Sequence, residues 1–385
     1  MDGIRFLCIA WVFVFHVSMF LVLRSPGYSS SSVLVQVVNR GWVGVELFFA
    51  LSGFILAVPF AAARILPSER QVDLPKYYMR RLTRLEPPYI VALTLFMLIA
   101  ALSGETCGYC TTHLSLAPLL AHFGAGLFYL HGPIFGDINP INGILWSLEV
   151  EVQFYLLMPV LAGVFLVKGR WRRRAVIVGA MVVAAALQQR FIPQGTPFSE
   201  TRLALSLANY IQYFLVGFLA ADVFLVEWRR STSKHVSWDL VAVLSWAGLL
   251  AVLWTSLPGS RLLVCLPILG IVLSGFKGRY MALVVRNRWL YTIGGMCYSI
   301  YLLHQRIIWF LTPTIYRWVG HHGPVVDLIV LAVIVGAFTL VLSALFFVVI
   351  ERPCMDKNWP RRLAAKYGLW TSSPRAGAGI GVSHR

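Results

Sequence analysis

The chain has 385 residues, 58% of them hydrophobic and only 13% charged, with a mean hydropathy of +0.73. These values exclude an ordinary soluble globular protein and indicate an integral membrane protein built from repeated apolar spans. The formal net charge of +17 sits in short clusters between the apolar runs rather than on one face, so it reads as a topology signal and not as a nucleic-acid footprint.

The first apolar run, 4–23, is long enough at about 1.5 Å per residue to cross a hydrocarbon core of about 30 Å. No basic region precedes it and no small-residue cleavage site follows, which predicts a permanent span rather than a cleaved signal. Span two is 41–63. A basic loop follows with Arg64, Arg70, Lys76, Arg80, Arg81 and Arg84, and span three begins at the Pro87-Pro88 pair, where a missing N–H is tolerated at a helix start. The apolar stretch 117–131 is short and rich in Gly and His, which predicts an interfacial or re-entrant segment. Spans four to eight are 145–167, 175–190, 207–227, 238–257 and 261–276. Span nine is 289–311 and span ten 325–350, and the basic tail ends in a Gly/Ala/Ser-rich segment expected to be disordered.

With the N-terminus inside, the cytoplasmic segments after span one hold 25 Lys and Arg and the outer segments 6. That asymmetry places both termini in the cytoplasm. The expected fold class is therefore all-α, a polytopic membrane helix bundle of ten spans. There is no soluble catalytic domain and no clear inverted repeat, so any chemistry belongs inside the bundle.

Ionisable residues within spans are few: His16, Glu46, Glu149, Glu151, Asp222, His304 and Arg306. Each is costly in hydrocarbon and should face the bundle interior and find a partner. Arg5 and His16 are eleven residues apart, which brings them to one helix stripe separated by a rise of about 16 Å. Glu149 and Glu151 point about 200° apart on a helix, so they are not a paired dyad. Glu151 shares a face with Ser147 and Tyr155, while Glu149 reads as an acid at a positive helix end. Tyr298, Tyr301 and His304 share a second face, either as an aromatic core with a satisfied histidine or as part of a site. Arg80, Arg81 and Arg84 at the mouth of span three are either topology anchors or a phosphate site. Cys8, Cys265 and Cys297 read as inert core residues. Cys107, Cys110 and His113 fall short of a zinc set, and the loop cysteines read as a disulfide pair before a redox or metal role. Signatures of P-loop, zinc-protease and nucleophile-elbow chemistry are missing.

Six motifs in order give the chain a close resemblance to the bacterial membrane acyltransferase-3 family. They are Arg5-x10-His16; Gly41 to Gly53 with Glu46 and Ser52; Arg80-Arg81-x-x-Arg84-x-x-Pro87; Trp146-Ser147-x-x-x-Glu151-x-x-x-Tyr155; Tyr298-x-x-Tyr301-x-x-His304; and Glu351-Arg352-Pro353. The resemblance implies a transmembrane domain over 1–358, followed by the tail 359–385. It implies a multi-pass protein of the bacterial inner membrane that moves an acyl group, acetyl by family habit, from cytoplasmic acyl-CoA to an acceptor hydroxyl. No bound cofactor and no metal are expected; acyl-CoA is a co-substrate.

In that reading His16 is the general base, Glu151 or Glu46 orients it, and Tyr301, Tyr155 or Arg5 donates to the oxyanion. Arg80, Arg81 and Arg84 hold the CoA phosphates; Trp146, Ser147, Tyr155, Tyr298, Tyr301 and His304 form the substrate pocket. An acyl-imidazole route competes with direct transfer. The acceptor is a surface polysaccharide or its lipid-linked precursor, with a macrolide-like metabolite as the alternative. A carrier of lipid-linked sugar is the competing class.

Overall fold

The computed structural model describes residues 1–24, 28, 32–66, 69–104, 114–192, 201–229, 233–255, 259–320, 322–356 and 359. The loop with Cys107, Cys110 and His113 and the tail from 360 onward lie outside the described residues.

The elements are helices throughout: α1 (Asp2–Arg24), α2 (Val33–Val38), α3 (Val43–Ile65), α4 (Leu74–Ser103), α5 (Leu116–Leu127), α6 (His131–Phe135), α7 (Leu145–Leu161), α8 (Arg170–Phe191) and α9 (Leu207–Val223). Then come α10 (Val236–Trp254), α11 (Ser260–Leu263), α12 (Cys265–Lys277), α13 (Arg279–Val285), α14 (Arg288–Gly295), α15 (Cys297–Val319), α16 (Pro324–Phe346) and α17 (Arg352–Cys354). Among the described residues, 9 helical segments are long and apolar enough to cross a membrane, so the chain is a polytopic all-α bundle. The helix α5, at 12 residues, is too short to cross.

Two expected boundaries are corrected. The ninth span does not run 289–311. It is divided at Met296 into the eight-residue α14 and the 23-residue α15, behind a Gly294-Gly295 pair that weakens helical continuity. The polar residues of α15, His304, Gln305 and Arg306 among them, keep it out of the apolar set, yet all three are buried in the bundle.

The third span does not start at the prolines either. The helix α4 begins at Leu74, capped by Asp73, whose carboxylate accepts the Lys76 N–H at 3.0 Å. The expected basic loop is therefore helical from residue 74, and Arg80, Arg81 and Arg84 are side chains of a helix. Pro87 and Pro88 lie inside α4. An interior proline leaves the carbonyl four residues back without its helical donor and costs about 3 kcal/mol. Pro87 frees the Thr83 carbonyl in this way, and the Trp359 indole N–H supplies the missing donor at 2.9 Å.

The centre of the bundle is the contact of α3 with α9. A Cβ on Gly53 would sit 2.2 Å from the Phe214 carbonyl oxygen, and one on Gly217 2.3 Å from the Ala50 carbonyl oxygen. Small residues thus let two backbones touch, which is how helices associate where lipid removes the usual hydrophobic drive. Around that contact Phe49, Phe214 and Phe154 stack, with centroids 4.7 and 4.0 Å apart. At one end Asp222, fully buried on α9, is held by Arg173 and by Arg174 (2.7 Å) of α8. Cys8, Cys265, Cys297 and Cys354 are free and buried. Replacing Gly217 by Leu should therefore force α3 and α9 apart, lowering stability by about 1–3 kcal/mol or more. A detergent thermal melt would show this, and a melt unchanged from wild type would contradict the packing.

Candidate active site

A cavity opens where the start of α1, the proline-bearing stretch of α4, α7, α14 and the end of the chain's last long helix converge. It holds about 930 Å³ of empty space, counting the part open to solvent. Arg5, Arg81 and Arg84 line it, opposed by the carboxylates Glu151 and Glu351. Arg5 and Glu351 meet here, which puts the first and last of the described helices at one end of the bundle.

Each lining group is placed by a specific contact. Arg5 pairs with Asp2 at 2.7 Å, one turn back on α1. Arg81 lies 5.7 Å above the Tyr155 ring and 5.9 Å from that of Tyr77, and its Nε has no hydrogen-bond partner among the described residues. Arg80, one residue earlier, is exposed and does not line the cavity, because a helix turns consecutive side chains about 100° apart. Glu151 accepts the Ser52 hydroxyl at 2.6 Å. Glu351 accepts both the Ser299 N–H (3.1 Å) and its hydroxyl (2.5 Å).

Two of the three lining tyrosines, Tyr298 and Tyr301, are already committed as donors. The Tyr298 hydroxyl donates to the Leu85 carbonyl at 2.9 Å. The Ser147 hydroxyl faces the Ile144 carbonyl at 2.9 Å, and a carbonyl only accepts, so the Ser147 proton goes there. The Tyr301 hydroxyl must then donate to Ser147 Oγ, with which it makes a short contact. The guanidinium groups are left as the cavity's charged donors.

His16 does not line this cavity, and neither do Glu46, Trp146 or His304. Arg5 and His16 both belong to α1, Arg5 on the cavity and His16 against α15. There His16 Nδ1 lies 2.8 Å from the Val12 carbonyl and 3.3 Å from His304 Nε2. The Tyr301 ring, on the cavity wall, is 5.6 Å from that of His304, and the His304 ring is 4.9 Å from that of His16. The expected carboxylate partner of His16 is replaced by an imidazole. Glu151 is engaged with Ser52, and Glu46, buried, meets Tyr213. Trp146 instead packs 5.2 Å from Tyr210 in an aromatic group with Phe49.

Sequence reasoning gave no site role to Ser52, Phe48 or Glu351. Ser52 and Glu351 do carry a signal, a polar residue within or just after a long apolar run. Phe48, which borders both the cavity and the Tyr301 ring at 6.2 Å, carries none. Glu149 serves elsewhere: it accepts the N–H groups of His131 (3.2 Å) and Gly132 (2.9 Å) at the start of α6. It therefore caps a neighbouring element rather than the start of its own helix. Beside it His131 Nδ1 faces the Asp137 carbonyl at 3.1 Å, and His131 Nε2 contacts His122 Nδ1 at 2.8 Å.

Compared with known proteins, residues 1–348 match the acyltransferase-3 model, described as an acyltransferase domain. A putative peptidoglycan O-acetyltransferase of Bacillus subtilis is 24% identical over 93% of this chain and 55% of its own length. Nodulation protein 10 of Rhizobium leguminosarum is 25% identical over 83% of this chain and 85% of its own. An O-acetyltransferase of Staphylococcus aureus is 22% identical over 81% of this chain and 50% of its own. The chain thus spans about half the length of the first and third of these relatives. No solved structure matches it.

Burial pushes His131 down to about 4 from an ordinary 6.5. The folded protein therefore holds this ring neutral where the unfolded chain would protonate it. Its burial is free of that cost above pH 6.5, and the cost grows as pH falls towards 4. Melts recorded across that window should fall with acidification, and His131→Phe should flatten part of the slope.

Proposed function

The chain belongs to the acyltransferase-3 family, and from that premise we propose that it is a membrane O-acyltransferase, by preference an O-acetyltransferase, using acyl-CoA. The observation that carries the reading is the cavity with three guanidinium groups on its wall, backed through Tyr301 by a histidine pair. Arginine forks suit the phosphates of a CoA, and Arg81 and Arg84, one turn apart on α4, present two of them together. The clustering of Lys and Arg in the segments at this end supports placing it in the cytoplasm of a bacterial cell, where acyl-CoA is made.

In the proposed reaction the acceptor hydroxyl oxygen attacks the thioester carbonyl carbon while His16 takes the hydroxyl proton. The intermediate then expels the CoA thiolate, which recovers the proton from His16, leaving an ester and free CoA thiol. From the cavity the Tyr301 ring leads to that of His304 and then to that of His16, so the acyl group has to pass this wall and meet the acceptor on the side of the His16 ring turned away from His304. The name of the Bacillus relative, a putative peptidoglycan O-acetyltransferase, supports a cell-surface glycan or its lipid-linked precursor as acceptor, and that of the Staphylococcus relative supports O-acetyl transfer.

Membranes carrying the protein should release free thiol from acetyl-CoA only when a glycan acceptor is present, and the acceptor should gain one acetyl group by mass. Movement of the glycan across the membrane without thiol release would replace this reading with a carrier. His16→Ala should lower turnover about 10²–10⁴-fold. Arg84→Ala should instead raise KM for acyl-CoA, by about 10–100-fold for one charge-assisted hydrogen bond, with kcat little changed.

A further inference from the structure

His304 is fully buried on α15, and the atoms around its ring leave its protons one arrangement. Its Nδ1 lies 2.8 Å from the Tyr301 carbonyl and 3.1 Å from that of Ile300. Carbonyl oxygens only accept, so Nδ1 carries the proton. In the neutral ring Nε2 then bears the lone pair, and Nε2 is the atom facing His16 Nδ1 at 3.3 Å. His16 Nδ1 also faces a carbonyl, that of Val12 at 2.8 Å, so it too carries its proton. That proton is shared between the Val12 carbonyl and the His304 lone pair. The lone pair of His16 consequently lies on Nε2, at the far side of its ring.

We infer that His304 is the positioning residue for His16: its Nε2 lone pair receives the His16 Nδ1 proton and fixes His16 as the tautomer whose Nε2 is the base. This rests on the acyl-transfer reading and deepens it, since it replaces the carboxylate that a hydrolase triad uses for the same task. When His16 Nε2 takes the acceptor's proton, the ring becomes a cation and its Nδ1–H bond to His304 becomes charge-assisted. A neutral orienter does this without bringing a full negative charge into the apolar bundle, where an ionised carboxylate is expensive. Of the neighbouring acids, Glu151 accepts from Ser52, and Glu46 meets Tyr213 with its Oε2 left without a hydrogen-bond partner among the described residues.

The test compares His304→Phe and His304→Gln in the full-length protein in membranes, alongside His16→Ala, by thiol release from acetyl-CoA. Gln returns an acceptor oxygen to the position of Nε2, whereas Phe fills the space without one. Positioning predicts that His304→Phe lowers kcat about 10–100-fold, the scale of one hydrogen bond to a charged group, with KM for acyl-CoA unchanged. His304→Gln should recover most of that loss. A ¹⁵N-histidine spectrum of the wild-type protein should show both rings protonated at Nδ1, a readout that does not depend on any variant folding.

His304→Phe with wild-type kcat, a loss that Gln does not rescue, or His16 protonated at Nε2 would each overturn the inference. The two readings fail separately. If His16→Ala is inactive while His304→Phe is unimpaired, the base survives and the positioning role falls. If His16→Ala remains fully active, the base itself is wrong.

Discussion

A polar atom inside an apolar bundle must be answered by another protein atom, because hydrocarbon offers it nothing. This chain meets that demand by pairing groups across helices. Asp222 of α9 takes two arginines of α8, Glu149 of α7 takes two backbone N–H groups of α6, and Glu351 takes the backbone and hydroxyl of Ser299 on α15. Such contacts hold neighbouring helices in register while glycine contacts such as that of Gly53 with α9 set their distance. Against this background of matched groups, the cavity stands out. Its three guanidinium groups face two carboxylates, and both carboxylates already accept hydrogen bonds from serines. Arg5 is further paired with Asp2, so Arg81 and Arg84 are the guanidinium groups left to turn towards something that enters.

The bundle therefore separates two kinds of polarity. At one end is an open, basic cavity built by residues from many helices. Deeper between α1 and α15 is a buried imidazole pair whose protons are dictated by backbone carbonyls. Tyr301 belongs to both, touching the cavity with one side and His304 with the other. Its hydroxyl is tied to Ser147, so the boundary between the two compartments is a hydrogen-bonded one. That bond crosses from α15 to α7, which makes the boundary sensitive to how those two helices sit.

Much of this was legible in the sequence where local rules suffice. Apolar run lengths located the spans, and the eleven-residue spacing put Arg5 and His16 on one stripe of α1. What failed depended on partners far away in the chain. The prolines of α4 read as a helix start because the donor that makes them tolerable inside a helix, Trp359, is 276 residues beyond Thr83. His304 read only as part of an aromatic face because its partner is 288 residues away. Glu151 was assigned to His16 by analogy with triads, while the nearer hydroxyl of Ser52 takes it. Arg80 looked equivalent to Arg81 only while the segment was taken for a loop; once it is helical, one of the two must turn away.

The indole of Trp359 has a consequence for how the protein is handled. It fastens the far end of the chain to the turn of α4 that the prolines would otherwise leave half-open, just where Arg81 and Arg84 emerge. A recombinant version trimmed to the last apolar helix would keep every span and still insert, but its arginine-bearing turn would lose its clasp. Under the acyl-transfer proposal, such a shortened version would hold acyl-CoA more weakly while integrating normally into the membrane.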